Sequence, residues 1–353
     1  MASGSVLGSL PLPSRDFFSY TTPQVCKPVS LALTIRKSYD PQRSCPLFRL
    51  PPEIRARIYE FAFSEYDDLE NPYDRQTHYY RPGYHYRHRI DTALLMTCRL
   101  IYLEARLIPL YINEHVFFLS NGPPLAYINK RVRSNLGLMY LCQAFVFRTS
   151  PESYFAGLNE EQLDAVSHVH FFIPQRSLEL EDEIESWASI SNIPLMHLRK
   201  ITITLRYADW RPGPLGLDPR YGTTASRSTG RGWGYYFRNI KGLDEFVMEL
   251  EAIEMMKGQL EDIVRRASEW QFTLADGRVL VQERADTYTW MGPYMLILHT
   301  LSLEAGPDTP GVLNLPGSTL YVTVLRWTAR EAENDDGTGE KAGANTTKQM
   351  TTG

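Results

Sequence analysis

Histidine, tyrosine and arginine side chains are concentrated in one polar stretch, residues 65–89. Its three histidines, His78, His85 and His88, could bind a metal, but no cysteine or carboxylate follows at zinc-finger spacing. The run 79–89 interleaves arginines with aromatic rings, on which single-stranded nucleic acid can stack. The same residue types anchor protein interfaces, and a solvated surface loop is the simplest alternative. The sequence therefore predicts no metal site here, disfavours nucleic acid and leaves a loop or a protein contact.

No motif typical of nucleophilic or phosphate chemistry occurs elsewhere in the chain. There is no G-x-S-x-G turn and no GxxxxGK[ST] loop. His168 and His170 alternate on a predicted strand and so share one face, which suits a half-buried sheet edge as well as a catalytic base. We therefore predict a protein that is not an enzyme, with no catalytic residues, no cofactor and no metal.

The composition is that of an ordinary globular protein. The 353 residues are 43% hydrophobic and carry a net charge of −4, which does not suggest a nucleic-acid or anionic-membrane partner. The four cysteines are far apart, as expected for free thiols in a reducing compartment. No stretch approaches the roughly 20 apolar residues of a membrane helix, and the N-terminus is a poor signal peptide. The expected location is the cytoplasm or the nucleus.

Two helical patterns flank the polar stretch. The first begins at Pro51-Pro52, where proline suits the first helical turn, and ends near Phe63. Its apolar residues recur every three or four positions, as on one face of an amphipathic helix: Leu50, Ile54, Ile58 and Phe61. The second pattern covers residues 92–112, and an extended segment, 114–119, follows it. Together these elements predict a helical module at 45–120 with an insertion at 65–89.

The rest of the chain predicts an α/β body at 121–330 between disordered segments at 1–44 and 331–353. A capping box at Asn159 and Gln162 opens a short helix, another helix covers 253–270, and Asp276-Gly277 predicts a hairpin. The remaining strands are predicted at 169–173, 201–205, 246–250, 295–303 and 320–327. This spacing favours an α+β or α/β fold, in which a mixed sheet with crossover helices supports the helical module. An irregular leucine-rich-repeat-like stack is an alternative.

The segment 48–61, FRLPPEIRARIYEF, resembles the opening of a group of fungal F-box-like proteins, whose signature reads Leu-Pro-x-Glu-Ile-Arg-x-x-Ile-Tyr. The second half of that signature, LLMTCRLIYLEA, follows at 94–105. A true F-box binds the adaptor subunit of a cullin-type ubiquitin ligase through the Leu-Pro start and the apolar positions after it. The resemblance implies a docking face made of Leu50, Pro51, Ile54, Ile58, Leu94 and Cys98. The insertion at 65–89 departs from a compact F-box, because it separates the two helical patterns.

The function expected from this resemblance is a non-catalytic protein-interaction module, with the body recruiting a substrate protein for the ligase. Two alternatives stay open. In the first, the F-box-like helices are structural core, and Leu50, Ile54 and Ile58 are buried under residues 240–330. In the second, the protein binds nucleic acid through a continuous basic surface around Arg81, Arg87 and Arg89.

Overall fold

The computed structural model describes residues 42–75, 79–119, 151–175, 198–210, 239–292 and 319–332, together with a few single positions between them. The terminal segments predicted to be disordered and the predicted strand at 295–303 lie almost entirely outside these ranges. Within them, no helix is both long enough and apolar enough to cross a membrane.

The first predicted helix is confirmed as α1 (Pro52–Phe63), which begins on a proline and carries Glu53 in its first turn. Its buried side chains are Tyr59 and Phe63. They form a small hydrophobic core with Ile101 and Ala105, separate from the core of the sheet. The helical segment therefore has an interior of its own.

The single helical run predicted at 92–112 is wrong, because the structure divides it into three short elements. A 3-10 helix, Ala93–Met96, is followed by α2 (Arg99–Ala105) and α3 (Ile108–Ile112). Cys98 is fully extended, with φ −155°. Pro109 has no N–H to donate to a preceding turn, so it cannot continue α2 and instead lies in the first turn of α3.

The insertion is a β-hairpin, whereas the sequence indicated a surface loop. Strand β1 (Tyr66–Pro72) pairs antiparallel with β2 (Tyr86–Arg89). Between them the chain reverses at Arg81–Tyr84, where each of these two residues donates a backbone hydrogen bond to the other. Proline at the second position and Gly83 with φ 81° at the third are the requirements of a type II turn.

A mixed sheet forms the body, as predicted, with seven strands in the described part of the chain. Its strand order is β3-β4-β5-β6-β9-β8-β7; the first four strands are parallel and the other pairs antiparallel. The strands are β3 (Glu114–Phe118), β4 (His168–Phe172), β5 (Lys200–Leu205), β6 (Glu245–Ile253), β7 (Gln271–Thr273), β8 (Val279–Met291) and β9 (Thr319–Arg330). Strand β3 follows the helical segment directly and is one of the two edge strands of the described sheet, so the segment and the body share it.

Among the described residues, the helices of the body are α4 (Pro151–Ala156), α5 (Glu160–Ala165) and α6 (Lys257–Ala267). The first two lie in the crossover between β3 and β4, and the predicted capping box at Asn159 is present. Helix α6 packs against β6 and β9. These helices cover the face of the sheet that holds the main core. Side chains alternate along each strand, and the opposite face carries polar side chains together with a small buried cluster of Val247, Val322 and Val324.

Candidate functional site

The apolar stripe of α1 faces outward. Leu50, Ile54 and Ile58 are 38%, 50% and 37% exposed, and Pro51 beside them is also exposed. They are not covered by residues 240–330, which was the condition for the structural-core alternative. Of the large apolar side chains that are exposed in the described part of the chain, nine of eleven lie between residues 50 and 111. Because contiguous exposed apolar surface is typical of interaction sites, the stripe of α1 is the first candidate site.

The other two predicted docking residues are placed differently. Leu94 and Cys98 are half-buried and pack against the small core of Tyr59 and Phe63. Cys98 is a free thiol. The structure therefore leaves the four residues at the start of α1 open and gives Leu94 and Cys98 a largely internal role.

Polar residues within 48–61 and 94–105 hold this face in place. The guanidinium of Arg55 donates two hydrogen bonds, of 2.7 and 3.0 Å, to the carboxylate of Glu104 on α2. Tyr59 donates its hydroxyl to the same carboxylate at 2.9 Å. Arg55 also donates to the carbonyl of Leu50 at 2.7 Å, which fixes the chain before the helix. A paired Arg–carboxylate fork is geometrically specific, so these three side chains set the angle between α1 and α2.

A second candidate region is a chain of hydrogen bonds on the polar face of the sheet. His170 on β4 accepts or donates at both ring nitrogens: Nδ1 lies 3.1 Å from Glu114 Oε2, and Nε2 lies 2.8 Å from Thr204 Oγ1. Thr204 in turn donates to Glu249 Oε2 at 2.9 Å. Strand β4 is internal, between β3 and β5, and His170 is buried. The predicted half-buried sheet edge for this histidine is therefore wrong.

The Thr204–His170–Glu114 geometry resembles a nucleophile, base and acid, but its proton arrangement opposes that role. A hydroxyl has one hydrogen, and that of Thr204 is donated to the Glu249 carboxylate. His170 must then donate its Nε2 hydrogen to Thr204 and cannot act as its base. Thr204 is also fully buried, so no substrate reaches it. The network is best described as a structural one.

The type II turn of the insertion contacts this network at both of its ends, through Tyr84 and Arg81. Tyr84 Oη lies 2.9 Å from His170 Nδ1, and its ring packs edge-on against Phe172. Arg81, 2% exposed, donates to Glu249 Oε2 at 3.0 Å and lies 3.9 Å from Glu251. Burial opposes the charge of this guanidinium, but Glu251 and Glu249 outweigh that effect and raise the pKa of Arg81. The turn is therefore attached to the sheet through two side chains three residues apart.

This arrangement bears on the nucleic-acid alternative. Arg81 is committed to two carboxylates inside the protein, and Arg87 lies over the ring of Tyr73, with Cζ 5.8 Å from its centroid. A continuous basic surface through Arg81 is not present in this hairpin. His85 and His88 are both described, and no three metal-binding side chains converge anywhere in the described part of the chain; His78 lies outside it.

A cleft of about 300 Å³ opens between the hairpin and β3. Its lining combines two carboxylates, Glu65 and Glu114, with aromatic and aliphatic side chains. Burial alone would raise the pKa of Glu114, but the hydrogen bond and charge of His170 lower it. At the same cleft, the carboxylate of Glu65 beside the imidazole raises the pKa of His88.

Sequence reasoning placed Arg81 on a basic surface and did not pair it with Glu249 and Glu251, although two signals were present. Arg81 and Tyr84 bracket a Pro-Gly pair, so a reversal places both side chains at its base. Glu249 and Glu251 interrupt an otherwise apolar strand, and a buried carboxylate needs a partner.

Comparisons with protein-family models, with curated proteins and with solved structures find no significant match to this chain.

Proposed function

We propose that the protein is a non-catalytic interaction module that docks onto the adaptor subunit of a cullin-type ubiquitin ligase through α1, while the body recruits a second protein. The observation that carries this proposal is the exposure of Leu50, Ile54 and Ile58. An amphipathic helix in a soluble protein normally turns its apolar stripe inward. Here Tyr59 and Phe63 supply the interior instead, and the stripe stays available for a partner.

The fixed geometry of this face supports a docking role. Arg55, Tyr59 and Glu104 hold α1 against α2, so little ordering remains to be done on binding. A surface held rigid before binding loses less conformational entropy in the complex. The two signature halves, 48–61 and 94–105, thereby act together: one presents the apolar residues and the other orients them. The expected location is the cytoplasm or nucleus, where Cys45 and Cys98 remain thiols.

The test is a binding titration of the full chain against the purified ligase adaptor by calorimetry. Ile54→Arg places a charge at the centre of the proposed contact, and we expect affinity to fall at least about 30-fold, as for a central interface residue. Met291→Arg is the matched control, because Met291 is also an exposed apolar residue, 62% against 50% for Ile54, but lies on β8. The proposal fails if the wild-type chain does not bind the adaptor, or if both variants bind as well as wild type.

A further inference from the structure

The cleft between the hairpin and β3 offers hydrogen-bond acceptors to a ligand but few donors. The contacts of Glu114 with His170 and Tyr84 all use Oε2, and its Oε1 accepts no hydrogen bond from the described residues. Glu65 likewise turns its Oε2 towards His88, 3.6 Å from Nδ1. Two carboxylates therefore each keep one acceptor oxygen for a ligand.

Donors, by contrast, are already used. His88 faces Glu65 with Nδ1, and its Nε2 lies 3.0 Å from the carbonyl oxygen of Gly83. The hydroxyl of Tyr84 is engaged with His170 and Glu114. An anion needs donors, and this cleft offers few, whereas a cation needs acceptors, which it has.

The remaining lining suits the aliphatic part of such a cation. Ile90, Val116 and Phe118 line the same cleft. Phe118 is held in position by stacking on Phe172, with centroids 4.4 Å apart, and Tyr84 is stacked on His88 at 5.2 Å. Long cationic side chains bury their methylene stems on apolar surface while the charged end stays at polar groups. Aromatic rings nearby also favour a cation.

We propose that this cleft binds an alkylammonium or guanidinium group, with its stem on Phe118 and Val116 and its charge between Glu65 and Glu114. The volume of about 300 Å³ is at the lower end for ligand clefts and fits one such group. The proposal is independent of the docking face on α1, which lies on other residues. It therefore stands or falls separately from ligase-adaptor binding.

The test uses the full chain and four probes: N-acetyl-lysine methylamide, its norleucine and glutamate counterparts, and n-butylammonium chloride. The readout is the imidazole proton signal of His88, assigned with His88→Gln. We expect the lysine probe to bind about tenfold more tightly than norleucine, which has the same stem without the charge. The glutamate probe should not bind. Tighter binding of capped lysine than of butylammonium assigns the cleft to a protein side chain, and the reverse order assigns it to a free amine.

Charge at the site is tested by Glu65→Gln, which keeps the shape and should weaken lysine-probe binding about fivefold. Glu261→Gln is the matched control, because it makes the same change to an exposed glutamate on α6, away from the cleft. It should leave binding unchanged. Equal affinity for the lysine and norleucine probes, or an unmoved His88 signal, overturns the proposal without reference to any variant.

Discussion

Replacing Arg81 with methionine should release the hairpin from the sheet. Methionine keeps a long, flexible stem in the buried space but removes the charge and the hydrogen bond to Glu249. Glu251, itself buried, would then lose the guanidinium that lies 3.9 Å from its carboxylate. The change therefore breaks a buried ion pair on one side only, which is the costly way to break it.

The size of the effect follows from the distances. At an effective dielectric constant of about 20, the attractions at 3.0 and 3.9 Å are each on the order of 4–6 kcal/mol before desolvation is counted. Desolvation of the three groups offsets much of this. Removing one partner of such a buried pair costs about 3–5 kcal/mol. If the hairpin detaches before the sheet unfolds, the global loss is capped at the hairpin's own free energy of docking.

Two measurements separate these outcomes. Urea unfolding followed by tryptophan fluorescence gives the global free energy, and amide hydrogen exchange over residues 66–89 gives the local one. We expect a loss of about 3–5 kcal/mol in one or both. Arg89→Met is the matched control, since Arg89 is exposed on the same hairpin, and should change neither by more than about 0.5 kcal/mol. A wild-type exchange pattern together with an unchanged midpoint for Arg81→Met would refute the reasoning.

Asn113→Ala should lower the free energy of unfolding by about 2–4 kcal/mol, because the buried amide of Asn113 donates to the carbonyls of Phe63 and Pro109 and accepts the N–H of Glu65. Thermal unfolding measures this loss. An effect no larger than that of Asn71→Ala, at an exposed position, would contradict the prediction. Glu114→Gln tests pH dependence. Since the pKa of Glu114 is lowered from 4.5, its ionised form adds stability above about pH 4.5 and loses it as the pH falls. The wild-type advantage, about 1–2 kcal/mol at pH 7, should shrink towards zero by acid unfolding titration at pH 3, and a gap that stays constant would be inconsistent.

Elements with a strong local pattern could be predicted from the sequence. Pro52 and the apolar spacing predict helix α1, and Asp276-Gly277 predicts the β7–β8 hairpin. Strands β4, β5 and β6 are apolar on the core face and were also found. The continuation of β8 to Met291 was missed because most of its side chains are exposed and polar, so burial leaves little trace in its composition.

Which face of α1 is buried was beyond prediction from periodicity. Leu50, Ile54 and Ile58 are the more apolar stripe, yet Tyr59 and Phe63 are buried, because Glu104 satisfies the tyrosine hydroxyl from another helix. The polar network on the sheet was hidden for a similar reason. Its polar side chains can be buried only because they hydrogen-bond to one another. They come from strands that are far apart in the sequence.

The attachment of the Arg81–Tyr84 turn also imposes an order in time. Arg81 precedes its partner Glu249 by 168 residues. At a synthesis rate of about 5–20 residues per second, the guanidinium waits on the order of 10–30 s before that carboxylate exists. During this interval the helical segment can fold around Tyr59 and Phe63, but the hairpin has no sheet to join. The basic, tyrosine-rich turn of the nascent chain is therefore exposed to solvent until β6 has been synthesised, and it becomes buried only then.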